Sequence, residues 1–289
     1  MYFFRREKVQ CRYQFSLRDA VDTALLQRAL TTALASAPYY TQRLVQEKRE
    51  MWLEPNTEPC LVYHGSTMRN IPEQTNGYLF CISCEGDTVY FDWHHFLLDG
   101  HGVSPLFTSI LEQYCNLRYG TAFAVQQIVC DPPYDMEAML AEYPPVEAGS
   151  DAIQRDVVQT YEGALRRTRV CLSKQSLVEK ALENNAKPVS ALMSLLCMAM
   201  REYLGKEKIQ YSYSSDTRDV AGVPHALYNC VCSFEHTVQL QAKTRLADLV
   251  SDVDADIKRD LQPQSKRRRM TEQMGWVYKV DQQKAPLRI

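Results

Sequence analysis

The sequence predicts an α/β (α+β) protein of two halves, each built from mixed sheets covered by helices. Three observations carry this. Short β-rich runs are interspersed with longer segments whose apolar residues recur at helical spacing. Several of the β-rich runs are joined by hairpin-like turns. A stretch rich in proline and acid, "DPPYDMEAMLAEYPPVEAGS" from Asp131, parts two segments that share a rough grammar of strand, helix, strands, loop and helix. The expected organisation is a first half over 1–130, a linker over 131–165 and a second half over 166–289.

In chain order, Gln10–Leu17 alternates as a strand does. Asp22–Ala37 carries Leu25, Leu26, Ala29, Leu30, Ala33 and Leu34 as one helical stripe, which Pro38 ends. Thr41–Lys48 and Met51–Glu54 read as a strand pair, and Cys60–His64 as a short strand. Gly77–Cys84 and Thr88–His94 form a predicted hairpin around Gly86-Asp87. After the loop "HFLLDGHGV", Ser104 as N-cap and Pro105 at the first helical position predict a helix to about Gly120. Beyond the linker, Arg166–Leu172 is expected as a strand, with helices capped by Ser173 (to Asn184) and Ser190 (to Leu204). Lys208–Ser214 is a strand, Asp216–Ala226 a loop, Asn229–Leu240 a long strand and Thr244–Leu261 a helix. After Gln262 the pattern weakens.

The composition is globular, with 45% hydrophobic and 24% charged residues, and a formal net charge of -2 gives no field that would attract nucleic acid. The basic run Lys266–Arg269 reads as a solvated helix end or loop. The opening "MYFFRREKVQ" lacks the apolar core of a signal peptide, and no apolar run is long enough to span a bilayer. A cytoplasmic location with free thiols is therefore expected. Two cysteine pairs, Cys81/Cys84 and Cys230/Cys232, could suggest zinc. Both lie in strand-like runs, and positions three apart in a strand face opposite ways, so Cys81 and Cys84 could not share a metal without a turn between them; small buried side chains are expected and no metal.

Only six histidines occur in the chain, and three of them fall within His94–His101. His94 and His95 close a strand, and adjacent strand residues point to opposite faces, so the two should do different work. His95, at the junction with the loop, is the candidate to meet a ligand and accept a proton; His94 would face inward and fix the loop. Asp99 could orient an imidazole or lock the loop. Gly100 and Gly102 allow close approach of neighbours, and His101 is read as a loop residue. By residue type alone, paired histidines at a strand end are more often satisfied core or surface residues than catalysts. No nucleophile elbow, phosphate loop or dinucleotide fingerprint accompanies them.

The stretch "HHFLLDG" resembles the HHxxxDG motif of the chloramphenicol-acetyltransferase-like acyltransferases, which include condensation domains and alcohol O-acyltransferases. Upstream, "VDTALLQRALTTALASAPYYTQRLV" is similar to that family's first helix and following turn. Downstream, "KIQYSYSSDTRDV" and "LYNCVCSFEHTVQL" are similar to a strand ending in Arg and an Asn-led strand of its second half. The resemblance implies two related α/β sandwich halves with a substrate tunnel between them. It implies His95 as general base, with His94 beside it, Asp99 paired with Arg218 to hold the loop, Gly100 leaving room for substrate, and Asn229 near the tunnel wall. It implies acyl transfer from coenzyme A or a carrier-protein pantetheine thioester to a hydroxyl or amine, with the thioester as co-substrate and no bound cofactor or metal. A carrier protein is the implied partner. The family's later strands and its Asp-Phe-Gly-like motif find no match, so an incomplete second half is expected. The missing part is either supplied by another chain, lost in a fragment, or absent from a remnant with a binding or assembly role rather than turnover.

Overall fold

The computed structural model describes residues 10–47, 50–95, 97–125, 127–142 and 170–282. These residues divide between two units: Met1–Tyr134 with Ala221–Cys230, and Asp135–Val220 with Val231–Ile289.

In the first unit the predicted hairpin sits at the centre of a sheet. Strands β5 (Phe80–Glu85) and β6 (Thr88–His94) pair antiparallel, and Gly86 takes the positive φ of 58° that the tight turn between them requires. β1 (Gln10–Ser16) flanks β6, and the short β4 (Val62–His64) runs parallel to β5, giving the order β1-β6-β5-β4. β2 (Gln42–Glu47) and β3 (Glu50–Pro55) form the expected separate pair. Alternation sorts the central strands. Phe80, Ile82, Cys84, Val89, Phe91 and Trp93 join the core with helices α1 (Thr23–Ala35) and α2 (Gly100–Tyr119). On the opposite face Asp92 is 1% exposed and is held by Arg12 through two bonds, Nε to Oδ1 at 2.6 Å and Nη2 to Oδ2 at 2.8 Å. Asp22 caps α1 by accepting the Leu25 N–H.

Cys81 and Cys84 face opposite ways, as the strand argument expects, whereas Cys230 precedes the strand Val231–Gln239 and only Cys232 lies in it. Cys84 lies in the core, while Cys81 lies on the Asp92 face, and burial with that carboxylate pushes the Cys81 thiol up to about 12. Burial likewise pushes Cys232 up to about 11, against the pull of Lys266 and Arg269. Neither is a thiolate near neutral pH. Among the described residues, no cluster of three or more His, Cys, Asp or Glu is arranged to hold a metal ion.

In the second unit β7 (Lys208–Asp216) pairs antiparallel with β8 (Val231–Gln239). Ile209, Tyr211 and Val238 from this pair pack with Cys197 of α5 (Pro188–Leu204) and with Leu249, Val253 and Ile257 of α7 (Leu246–Asp260). α4 (Lys174–Glu183) adds Ala181 beside Ala191 and Val250. Ser173 caps α4 as predicted.

Several boundaries differ from the sequence reading. The helix assigned to Ser190 starts at Pro188, and Ser190 sits inside its first turn. Asp254 of α7 does the capping instead: its Oδ1 accepts the Lys187 N–H at 3.0 Å and the Ser190 hydroxyl at 2.7 Å. The predicted linker contains a short helix, α3 (Met136–Glu142), and its remainder from 143 lies outside the described residues. The strand expected over Arg166–Leu172 falls partly outside them too, and 170–172 are not strand. The loop Asp216–Ala226 holds a one-turn helix, α6 (Arg218–Ala221). Where the pattern weakened, α8 (Pro263–Gln282) forms. Its basic run is not wholly solvated: Lys266 is buried on Asp219 at 2.5 Å, and Arg269 donates to the Ser233 carbonyl at 2.6 Å.

Asp254 supports a prediction. Burial raises its carboxyl, but the Lys258 ammonium, the Lys187 N–H and the Ser190 hydroxyl outweigh that and hold it below its ordinary 3.8. A carboxyl so held contributes stability above its unfolded value and loses it as pH falls through the folded one. Asp254→Ala is expected to destabilise the second unit by about 1–2 kcal/mol at neutral pH, the worth of a lost cap. Denaturant melts should show the difference from native shrinking below the ordinary carboxylate range.

Candidate active site around His95

The site residues of the first unit lie where β6 ends. His94 is the last residue of β6, fully buried, with its N–H on the Leu79 carbonyl at 2.9 Å. His95 begins the turn and is half-buried. Only His94 closes the strand, contrary to the sequence reading; His95 lies past its end, so the turn rather than strand alternation leaves one ring inside the fold and the other partly exposed.

Asp99 locks the loop. It is 2% exposed, and its Oδ1 accepts the Gly102 N–H at 2.7 Å, which makes it the N-cap of α2. Its Oδ2 accepts the Cys230 N–H at 2.9 Å. The helix therefore starts at Gly100, five residues before the predicted start. Pro105 lies inside it, within the second turn, where its missing N–H removes a helical bond. Asp99 outcompetes Ser104 as cap because its carboxylate serves two backbone donors at once. Asp99→Ala is expected to destabilise by about 2–3 kcal/mol, a cap plus one buried N–H left without its acceptor. Thermal melts check this, and Asp99→Asn should recover only part.

Three aromatic side chains hold the loop's carbonyls. Tyr39 donates to the Leu97 oxygen at 2.9 Å, Trp93 Nε1 to Leu98 at 3.1 Å, and the Tyr40 hydroxyl to Gly102 at 2.7 Å. Burial raises the Tyr39 hydroxyl well above the usual phenol range, so it stays a donor. Sequence reasoning missed all three, and nothing local could have flagged them.

Glycine tolerance splits between the two candidates. A Cβ on Gly100 would meet only the Tyr13 hydroxyl, at 3.0 Å. A Cβ on Gly102 would lie 1.8 Å from the Leu227 carbonyl oxygen. The strict requirement for glycine is at Gly102.

Asn229 reaches His95 from 134 positions away. Its Nδ2 lies 3.1 Å from His95 Nδ1 and 3.2 Å from the His95 carbonyl oxygen. It precedes β8 rather than opening it, because segment 221–230 belongs to the first unit. Arg218 belongs to the second unit. It is 3% exposed, and its guanidinium meets Asp216 Oδ1 at 3.1 Å. A cleft of about 580 Å³ also opens in the first unit, lined by Tyr39, Gln42, Leu53, Ile128, Cys130 and Leu227 among others. His95 is not part of its lining.

This arrangement offers a reachable imidazole on a turn whose carbonyls, cap and neighbouring segment are all pinned. Such a group can donate or accept a proton without moving its support. Solved structures share this architecture. Polyketide synthase associated protein 5 from Mycobacterium tuberculosis superposes with a TM-score of 0.69 at 20% identity, over 92% of this chain and 72% of that one. The fold is the condensation-domain fold. The first condensation domain of the calcium-dependent antibiotic synthetase, in complex with a substrate analogue, matches with a TM-score of 0.62 at 14% identity, over 98% of this chain and 74% of its own. The starter condensation domain of rhizomide synthetase, in complex with C8-CoA, matches at 0.60 and 12% identity, over 97% and 71%. No family model and no curated protein matches the chain. These likenesses settle the fold class predicted from sequence, including mixed sheets covered by helices. Among the described residues, no helix of this condensation-domain fold is long and apolar enough to cross a membrane.

Proposed function

We propose that the chain is an acyltransferase of the condensation type. It moves an acyl group from a coenzyme A or carrier-protein pantetheine thioester to a hydroxyl or amine acceptor. His95 removes the acceptor's proton as the oxygen or nitrogen lone pair attacks the thioester carbonyl carbon. The carbon–sulfur bond then breaks, and the leaving thiolate takes a proton back from the imidazolium. The thioester is a co-substrate, and this scheme uses neither a covalent enzyme intermediate nor a metal. A carrier protein is a fitting partner for the tethered form of the donor.

The observation that carries this reading is the separation of the two imidazoles on a locked loop: His94 fully buried, His95 half-buried with only one ring nitrogen engaged. The comparisons lend the reaction class, since one structure of this fold was solved with an acyl-CoA and another with a substrate analogue. The test is release of free thiol from acyl-CoA and acyl-pantetheine donors of graded length, with pooled alcohols and amines as acceptors. Acceptor-dependent thiol release by the native chain is the expected result. Absence of turnover with every donor, together with stable binding of a carrier protein, would instead make the chain a binding or assembly module.

A further inference from the structure

The contact between Asn229 and His95 says more than that the two are neighbours. A side-chain amide presents either N–H groups or a carbonyl oxygen, and its partner decides which. Here one amide atom lies 3.2 Å from the His95 carbonyl oxygen, which can only accept. A second oxygen at that distance would be repelled, so the atom is the amide nitrogen. The same nitrogen lies 3.1 Å from His95 Nδ1. An NH2 group has two protons, one for each acceptor. If Nδ1 carried a proton, two donors would face each other.

We infer that Asn229 fixes the resting tautomer of His95, with Nδ1 accepting and the ring proton on Nε2. Asn229 is in this sense a positioning residue that acts through the imidazole. Among the described residues, Nε2 has no hydrogen-bond partner. In the resting site it is therefore a donor, suited to hold an acceptor oxygen such as that of a hydroxyl or a thioester carbonyl. Resting on the base role given to His95 above, a consequence follows for the reaction. Nε2 can take a proton only in the other tautomer, in which Nδ1 carries the hydrogen. That form requires the Asn229 N–H to leave Nδ1. The residue 134 positions downstream thus sets what fraction of the neutral ring is ready to act as base through Nε2.

The test is nitrogen NMR of the full chain labelled on histidine, across a pH series and read at its neutral-imidazole end, with His95→Ala to assign the signals. The native chain should show Nδ1 unprotonated and Nε2 protonated. Asn229→Ala should shift the tautomer ratio toward Nδ1–H by roughly five-fold, the effect of one ordinary hydrogen bond. Asn229→Asp, whose carboxylate can only accept, should invert the preference outright. A native spectrum with the proton on Nδ1 overturns the inference, and so does an Asn229→Ala ratio equal to the native one. The readout needs no turnover. If the spectra are as expected and no thioester is consumed, the tautomer assignment stands and the proposed reaction falls.

Discussion

His95→Ala is expected to lower acyl transfer by roughly 10²–10⁴-fold, the range in which a positioned general base contributes. It should do so without unfolding the chain. The ring is half-buried, and truncation removes only its share of the Asn229 amide. The other bond from that amide goes to the His95 backbone oxygen, which the variant keeps. The stability change should therefore stay near 1 kcal/mol or below. The same truncation one residue earlier should behave in the opposite way. His94 is fully buried at the end of β6, so His94→Ala opens a void and should lower the melting temperature first, with activity falling as a consequence. The measurement is the rate of thiol release beside a thermal melt for both variants. Free imidazole added to His95→Ala should restore part of the rate if the lost group is a base. Undiminished turnover in His95→Ala would remove the proposed mechanism.

That contrast follows from where the strand ends, between the two histidines, and it shows which parts of the site local sequence signals reach. The hairpin β5–β6, the stripe of α1 and the different fates of His94 and His95 all depend on residues within a few positions of one another. Periodicity of two or of 3.6 records such relations directly. The helix after the motif starts earlier than its local signals imply, for a related reason. Ser104-Pro105 is a good local signal, but the true cap, Asp99, is favoured by the Cys230 N–H, which is 131 positions away. Ser190 tells the same story, since its helix is capped by Asp254 from α7. Residues such as Asp254 and Lys266 look solvent-facing in sequence and are buried because a partner arrives from a distant segment. The loop's aromatic donors Tyr39 and Tyr40 belong to this group as well. What the sequence leaves silent is the set of long-range polar bonds, and those are what hold His95 in place.

Gly102→Ala is expected to be the most damaging substitution of a small residue in the first unit. The added Cβ would lie 1.8 Å from the Leu227 oxygen and 2.8 Å from the Leu227 carbonyl carbon, both backbone atoms that no rotamer change can move. Either the first turn of α2 or segment 221–230 must shift. Any such shift pulls on the Asp99–Cys230 bond and on Asn229, which share those two pieces of chain. Overpacking of this kind costs about 3 kcal/mol or more, which should lower the melting temperature on the order of 10 °C. Gly100→Ala makes the control. Its Cβ meets the end of a tyrosine side chain at 3.0 Å, which can swing aside by a few tenths of an ångström, so its melt should stay within a few degrees of native. The order of the two variants is the informative result. If the motif glycine Gly100 proved the more sensitive, the close packing of α2 on Leu227 would not be what holds the loop. If Gly102→Ala is the worse, the nearest backbone neighbour of the histidine loop is a segment more than 120 residues downstream. The loop's geometry is then set by two pieces of the first unit that lie far apart in sequence.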